Sequence, residues 1–366
     1  MTEPLQLRSS RRAAWSRRIL GLLIFAGTVY LVHRLVAEVG WNEVGERLAT
    51  ARLPVLGLSV ACLLGQLSTW AVRQRLAIRR ILATPPGWTI FLALVATAAA
   101  NFLLPFARLV GGLLRARYLS RTSEPLTQKR LYYGAVLFDQ VVHFLVMGAV
   151  TVVGLVGGAL ALGRRPLAVG IAGGAAVLVA LGALWIRRRV GATGGGLVRF
   201  LERRAERREG PVGRLLAGSG TAAGVFFRLA RDRALWIRSA GLGAAVFAFV
   251  AGAQWTVFRA VGTEVHPLLV VGTLALGLSA GVLLGTPGGL GTTEATMIAL
   301  YGAFGVDRVD AASAVLLFRG LQFAVVLGLG LPSMAVLEVY AVVVGRRRRS
   351  VAEPEEDLEE AGLRGE

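Results

Sequence analysis

The sequence is poor in the residues that build metal and redox sites. Its 366 residues include one cysteine, Cys62, and three histidines, His33, His143 and His266. One cysteine forms neither an intrachain disulfide nor a CxxC metal site. The histidines lie far apart and lack the HExxH spacing of a zinc site. No GxxxxGKS or GxxxxGKT motif for nucleotide phosphates occurs. We therefore expect no metal ion, no cofactor and no ATP-driven motor.

Charged residues are also few. They make up 17% of the chain, whereas hydrophobic residues make up 55%, with 47 glycines in addition. A soluble domain carries about 25% charged residues, so this composition excludes an ordinary soluble enzyme, a disordered protein and a fibrous repeat. The sequence predicts an all-α, polytopic integral membrane helix bundle with about six to eight transmembrane helices of about 20 residues each.

The basic residues are clustered. The formal net charge is +19, and arginines crowd beside apolar runs at 8–18, 73–80, 187–208 and 346–349. Cytoplasmic loops show this distribution under the positive-inside rule, and no soluble body is left to carry a nucleic-acid-binding patch. We therefore predict a multi-pass protein of the cell membrane with both termini in the cytoplasm and no nucleic-acid partner.

The same pattern divides the chain into a basic cytoplasmic N-terminus at 1–18, a membrane domain at 19–345 and a charged tail at 346–366. The tail has no core-forming residues and is expected to be disordered. The run 19–36 is interpreted as an uncleaved first span, because no small-residue cleavage site follows it. The arginine-rich segment 187–233 is the largest loop and is predicted to be cytoplasmic.

The arginine clusters at 73–80 and 187–208 are both predicted to be cytoplasmic, so an even number of crossings must lie between them. The apolar segments between them are one too many. A hairpin at 88–121 that enters from the cytoplasm, turns at Pro105 and returns would remove the conflict. The second half repeats these parts, with an apolar run from Pro267, a break at Pro287 and a short helix that ends near 304. Two hairpins entering from opposite faces are typical of inverted-repeat transporters, in which broken helices form the substrate site. Plain crossings that violate the charge rule are the alternative.

Polar residues inside apolar segments are candidate functional residues because they are costly in a bilayer. The candidates are Asn101, Arg108, Arg115, Asp139, Glu294 and Arg319. Structural alternatives exist for most of them. The two arginines near a helix end could snorkel, a carboxylate at a helix start is stabilised by the helix dipole, and Asp139 could pair with Arg319. If Glu294 is functional, Arg319 is its expected partner. His143 is expected to be a core residue.

The Pro-Gly-Gly-Leu-Gly turn completes the predicted lipid-binding set. Pro287 ends the preceding helix, while Gly288, Gly289 and Gly291 permit positive φ and a close approach of the backbone. The free N–H groups at the start of the next helix favour an anion such as a lipid phosphate.

These residues resemble a known family. Thr286–Glu294, the Gly-Val pair at 305–306 and Phe318-Arg319 are similar to the PGGxGxxE, Gly-Val and Phe-Arg pattern of the membrane domain of lysylphosphatidylglycerol synthases and their stand-alone, flippase-like relatives. In the first half, Asn101–Pro105 and the sites Arg108, Gly111 and Arg115 resemble the corresponding family stretch. The similarity covers about Arg17 to Arg346.

Two positions depart from the family pattern. Gly112 stands where the family has glutamate, and Gln140 follows Asp139 where the family has arginine. Because one acid and one base are lost together, the charge balance is kept, as in a compensated pair.

The resemblance implies a lipid-handling membrane protein. Aminoacyl transfer in the full-length synthases belongs to a separate soluble domain, for which we expect no equivalent here. We predict a flippase or transporter of an anionic phospholipid or a lipid-linked headgroup, with anionic membrane lipids as partners, and not an enzyme. The alternatives are a membrane enzyme acting on a lipid or lipid-linked sugar, with Glu294 or Asp139 as acid–base group, and a partner in envelope assembly. The absence of neighbouring carboxylates in the sequence favours transport.

Overall fold

The computed structural model describes residues 42, 46, 49–81, 85–103, 107–122, 129–190 and 211–360. The predicted N-terminus and first span lie outside these residues. The helices are α1 (Leu53–Arg79), α2 (Gly87–Leu103), α3 (Ala107–Thr122), α4 (Lys129–Ala161), α5 (Arg165–Val190), α6 (Pro211–Ala230), α7 (Arg233–Ala260), α8 (Pro267–Leu284), α9 (Thr292–Ala303) and α10 (Arg308–Glu360), with a 3₁₀ turn at Pro287–Gly289 between α8 and α9.

The described part is helical throughout and contains no strand, as the predicted all-α membrane bundle requires. Within the described residues, five helices are long and apolar enough to cross a bilayer: α1, α4, α7, α8 and the part of α10 up to Val343. Helix α2 and the start of α5 are apolar but shorter. The chain is therefore a polytopic helical membrane protein.

Local sequence signals set several helix ends. Asp232 caps α7, since its carboxylate accepts a hydrogen bond from the Leu235 amide at 2.9 Å. Helix α8 starts with Pro267, whose missing N–H costs nothing in the first turn. It ends at Gly285, a residue with φ of 66° that glycine adopts without strain.

The two halves of the chain are built from the same parts. Each half has a long helix (α1 or α7), a helical hairpin (α2–α3 or α8–α9) and a second long helix (α4 or α10). Helix α1 packs on α7 in antiparallel orientation: the Ser59 hydroxyl donates to the Ala253 carbonyl at 2.9 Å, and Arg73 lies beside Gly243. The hairpins pack crosswise, with α2 against α10 and α8 against α4. Two helical hairpins in a repeated arrangement are therefore present. The predicted turn at Pro105 lies outside the described residues, and the entry of the hairpins from opposite membrane faces stays a prediction.

Small residues allow α4 to pack closely on α8, and α10 on α2. A Cβ atom added at Gly154 on α4 would meet the backbone of Gly272 on α8, and one added at Gly330 on α10 would meet Ala99 on α2. Membrane helices commonly pack in this way, because the lipid tails provide no hydrophobic drive for helix association.

The predicted cytoplasmic loop at 187–233 contains a helix. Helix α6 lies within the segment 187–233, which was expected to be a solvated connector, and its Val225 and Leu229 are buried. It packs on α4 where a Cβ at Gly134 would lie 2.7 Å from the Ala222 carbonyl oxygen. Residues 191–210, including the predicted charged helix at 202–209, lie outside the described residues.

The tail also differs from the expected disorder, since α10 continues to Glu360. Arginine, glutamate, alanine and leucine all have good helix propensity, so a charged segment that cannot form a core can still extend a helix. Residues 361–366 lie outside the described part.

Candidate functional site

A cavity lies where the two hairpin tips meet between the long helices. Its empty volume is about 1170 Å³ including the open mouth. Residues from both halves line it: Gln66, Trp70, Asn101, Phe102, Gln140, His143, Phe247, Thr286, Gly288, Thr293, Arg319 and Gln322 are among them. Residues of both hairpins and of the long helices therefore enclose one space.

The hairpin tips touch at the cavity wall. A Cβ atom at Gly288 would lie 2.8 Å from Cδ1 of Phe102, so only glycine fits against the first hairpin there. Gly288 also has φ of 59°, and Gly289 and Gly291 have φ of 72° and 76°. Pro287 is buried at the start of the turn. The glycine turn thus needs both the positive φ and the close approach predicted for it.

Glu294 and Arg319 form a buried ion pair beside this turn. The Nε atom of Arg319 lies 2.6 Å from Oε1 of Glu294, and the two side chains are only 4% and 3% exposed. Arg319 Nη1 donates to Oε1 of Gln322 at 2.6 Å, and Nη2 donates to the Gly288 carbonyl at 2.5 Å. The predicted partnership of Glu294 with Arg319 is confirmed. Glu294 lies in the first turn of α9, so the favourable helix dipole also acts on it.

Asp139 is held by a second buried cluster in the other half. Its Oδ1 accepts from Nε of Arg73 at 2.7 Å, and its Oδ2 accepts from Nε1 of Trp70 at 2.9 Å. Nη1 of Arg115 is 3.4 Å from Oδ2 and 3.0 Å from Oε1 of Gln74. The alternative in which Asp139 pairs with Arg319 is wrong, because each finds an oppositely charged partner within its own half.

Aromatic rings separate this cluster from the cavity. Trp70 stacks on His143 with ring centroids 5.0 Å apart and planes 3° apart, and His143 stacks on Phe247 at 5.2 Å. The guanidinium of Arg115 lies 5.2 Å from the Trp70 ring centroid, at cation–π distance. His143, expected in the core, thus lies in the cavity wall.

The buried charges do not cancel. Among the described residues, the buried charged side chains are Arg73, Arg115, Asp139, Glu294 and Arg319. These are three guanidiniums and two carboxylates, which leaves one positive charge in excess. A buried charge is costly unless it is compensated, and the excess lies in the Arg73–Asp139–Arg115 cluster.

The two remaining predicted residues of the first hairpin are Asn101 and Arg108. Asn101 lines the cavity, and its side chain packs against Gly111 on α3, where any Cβ atom would clash with its amide. Arg108 lies within α3, but its side chain is outside the described residues.

Sequence reasoning missed Arg73 and Gln74. It assigned Arg73 to the cytoplasmic arginine cluster at 73–80, but α1 continues to Arg79 and Arg73 is only 1% exposed. Arg73, Gln74, Ala77 and Ile78 are all buried on α1. This helical spacing places the four residues on one inward-facing side of α1. The number of arginines in the cluster alone does not show this.

The two departures from the family pattern are neighbours in space. A Cβ at Gly112 would lie 3.7 Å from Nε2 of Gln140 across the α3–α4 contact. This is the geometry that a compensated change of one acid and one base requires.

Residues 18–330 match the family model described as the lysylphosphatidylglycerol synthase TM region. The chain belongs to this family. None of the curated proteins compared with it gives a significant match. As a lysylphosphatidylglycerol synthase TM-region protein, it is a helical membrane protein of a lipid-related family, and the hairpins, the glycine turn and both buried charge clusters lie within the matched residues.

Proposed function

We propose that the protein translocates an anionic phospholipid or lipid-linked headgroup through the central cavity. The observation that carries the proposal is the position of the cavity between the tips of two hairpins that belong to inverted halves. Transporters with this architecture bind substrate where broken helices of the two repeats meet. The excess positive charge around the cavity supports an anionic substrate.

The carboxylates support transport over catalysis. Asp139 and Glu294 are both bound to guanidinium groups, at 2.7 Å and 2.6 Å. Neither is among the residues that line the cavity. A general acid–base group must reach the reacting atom within hydrogen-bond distance, and a carboxylate engaged by arginine behind the wall does not meet this requirement.

The test is translocation in proteoliposomes that contain the purified protein. Phosphatidylglycerol with a nitrobenzoxadiazole-labelled acyl chain is quenched by external dithionite, so inward-facing label becomes accessible only when it crosses the bilayer. We expect faster loss of protected fluorescence than in protein-free vesicles, and a strongly reduced rate in Arg319→Gln. The matched control is Arg259→Gln, since Arg259 is 48% exposed in a surface pair with Glu264. Equal rates with and without wild-type protein would reject the proposal.

A further inference from the structure

Side chains that both donate and accept hydrogen bonds dominate the polar part of the cavity wall. Four carboxamides and two hydroxyls line it: Gln66, Asn101, Gln140, Gln322, Thr286 and Thr293. A carboxamide offers two N–H donors and a carbonyl acceptor, and a hydroxyl offers one donor and two lone pairs. Matching groups on a ligand must therefore both donate and accept.

The charged side chain at the wall is already paired with Glu294. Of the described residues that line the cavity, Arg319 alone carries a full charge at neutral pH. Its three guanidinium nitrogens donate to Glu294, Gln322 and the Gly288 carbonyl at 2.5 to 2.6 Å. The Arg73–Asp139–Arg115 cluster is separated from the cavity by Trp70. The wall therefore offers the enclosed part of a ligand polar contacts without a free ionic partner.

This combination discriminates between headgroup chemistries. A phosphate oxygen only accepts hydrogen bonds and an ammonium group only donates them, whereas a hydroxyl does both. We propose that the cavity encloses an uncharged, polyhydroxylated headgroup, a sugar or polyol, of a lipid whose phosphate stays at the cavity edge. This inference rests on the proposed transport function and names its substrate class.

The cavity is open to solvent, so it can enclose only part of a lipid. Its enclosed part holds about 120 Å³ for water-sized molecules, whereas the 1170 Å³ of empty volume includes open solvent. Gln140 faces Gly112 across the helix contact, so no side chain at position 112 covers its amide. The excess positive charge behind the aromatic layer acts at longer range and is compatible with a phosphate nearby.

Two singly anionic probes with identical acyl chains test this inference in proteoliposomes. Phosphatidylinositol carries a ring of hydroxyls, and phosphatidylmethanol has the same charge and no hydroxyl. We expect protein-dependent translocation to be about tenfold faster for phosphatidylinositol, the factor of about one buried hydrogen bond. Equal rates for both probes would overturn the inference, would indicate that the amides serve only water, and would leave the transport proposal intact. Transport of neither probe would reject the transport proposal itself.

Variants identify the side chains that bind the headgroup. Gln66→Leu and Gln140→Leu should each lower the ratio of the phosphatidylinositol rate to the phosphatidylmethanol rate about tenfold. Gln140→Asn keeps the carboxamide and should retain the preference, which separates recognition from folding. The matched control is Gln254→Leu, because Gln254 is a fully buried glutamine that is not among the cavity-lining residues. Parallel losses for both probes in Gln66→Leu and Gln140→Leu would overturn the assignment.

Discussion

Glu294→Gln is the sharpest test of the charge arrangement. The substitution keeps the size of the side chain and an oxygen that can accept from Arg319, but it removes the negative charge 2.6 Å from Nε. Arg319 then remains charged and buried, with its other two contacts to the neutral oxygens of Gln322 and Gly288.

The burial sets the size of the effect. Removing one partner of a buried ion pair typically costs about 3–5 kcal/mol, because the other charge is left uncompensated. Both side chains are at most 4% exposed, so solvent screens this pair little. We expect Glu294→Gln to lower the free energy of unfolding by about 3 kcal/mol, at the low end of this range, since the hydrogen bond from Arg319 can persist. The exposed pair of Arg259 with Glu264 has a similar distance, 2.8 Å, but side chains 48% and 85% exposed. Glu264→Gln is therefore the matched control, with an expected cost of about 1 kcal/mol or less.

Cys62 provides the assay. It is the one cysteine in the sequence and lies half-buried on α1, where a Cβ at Gly252 of α7 would be 3.7 Å from its sulfur. A maleimide that fluoresces on reaction therefore reports the separation of α1 from α7 during heating. At a fixed heating rate, Glu294→Gln should lower the apparent midpoint by about 5 °C or more, and Glu264→Gln by less than about 2 °C. The double variant Glu294→Gln/Arg319→Gln should be less destabilised than the sum of the singles, by about 0.5–3 kcal/mol. Equal shifts for the buried and the exposed substitution would refute the reasoning.

Three further predictions concern packing, charge and topology. Gly154→Leu should abolish the folded, monodisperse protein in size-exclusion chromatography, because its side chain meets the backbone of α8, whereas Gly148→Leu on the same helix, with nothing within 4 Å of its Cβ position, should be tolerated. Asp139→Asn should destabilise the protein by about 3–5 kcal/mol in the thiol assay, because two buried guanidiniums lose their carboxylate; a shift no larger than that of Glu264→Gln would contradict this. A cysteine at Thr122 in a Cys62→Ala background should be labelled from the cytoplasmic side, and labelling from the outside alone would contradict the hairpin at 88–121.

The break in the second hairpin could be predicted because proline and glycine act locally. Pro287 and the glycines after it end one helix and start the next at the expected residues. The burial of Arg73 could not be predicted from the positive-inside rule, since that rule weighs whole segments and not the faces of a helix. Helix α6 was missed for a similar reason: its buried Val225 and Leu229 are spaced for one helix face, but they stand in an arginine-rich segment.

Long-range partnerships were harder to predict than local breaks, because charge alone does not say which of several partners a residue meets. The structure gives each carboxylate its partner within one half, with the signs exchanged: Arg115 of α3 binds Asp139 of α4, and Glu294 of α9 binds Arg319 of α10. The other arm of each hairpin packs on the opposite long helix, α2 on α10 and α8 on α4. Each hairpin therefore has one arm fixed to α4 and the other to α10. The buried ion pairs therefore hold one arm of each hairpin to the long helix of its own half, and they do so without adding an unpaired charge to the cavity wall.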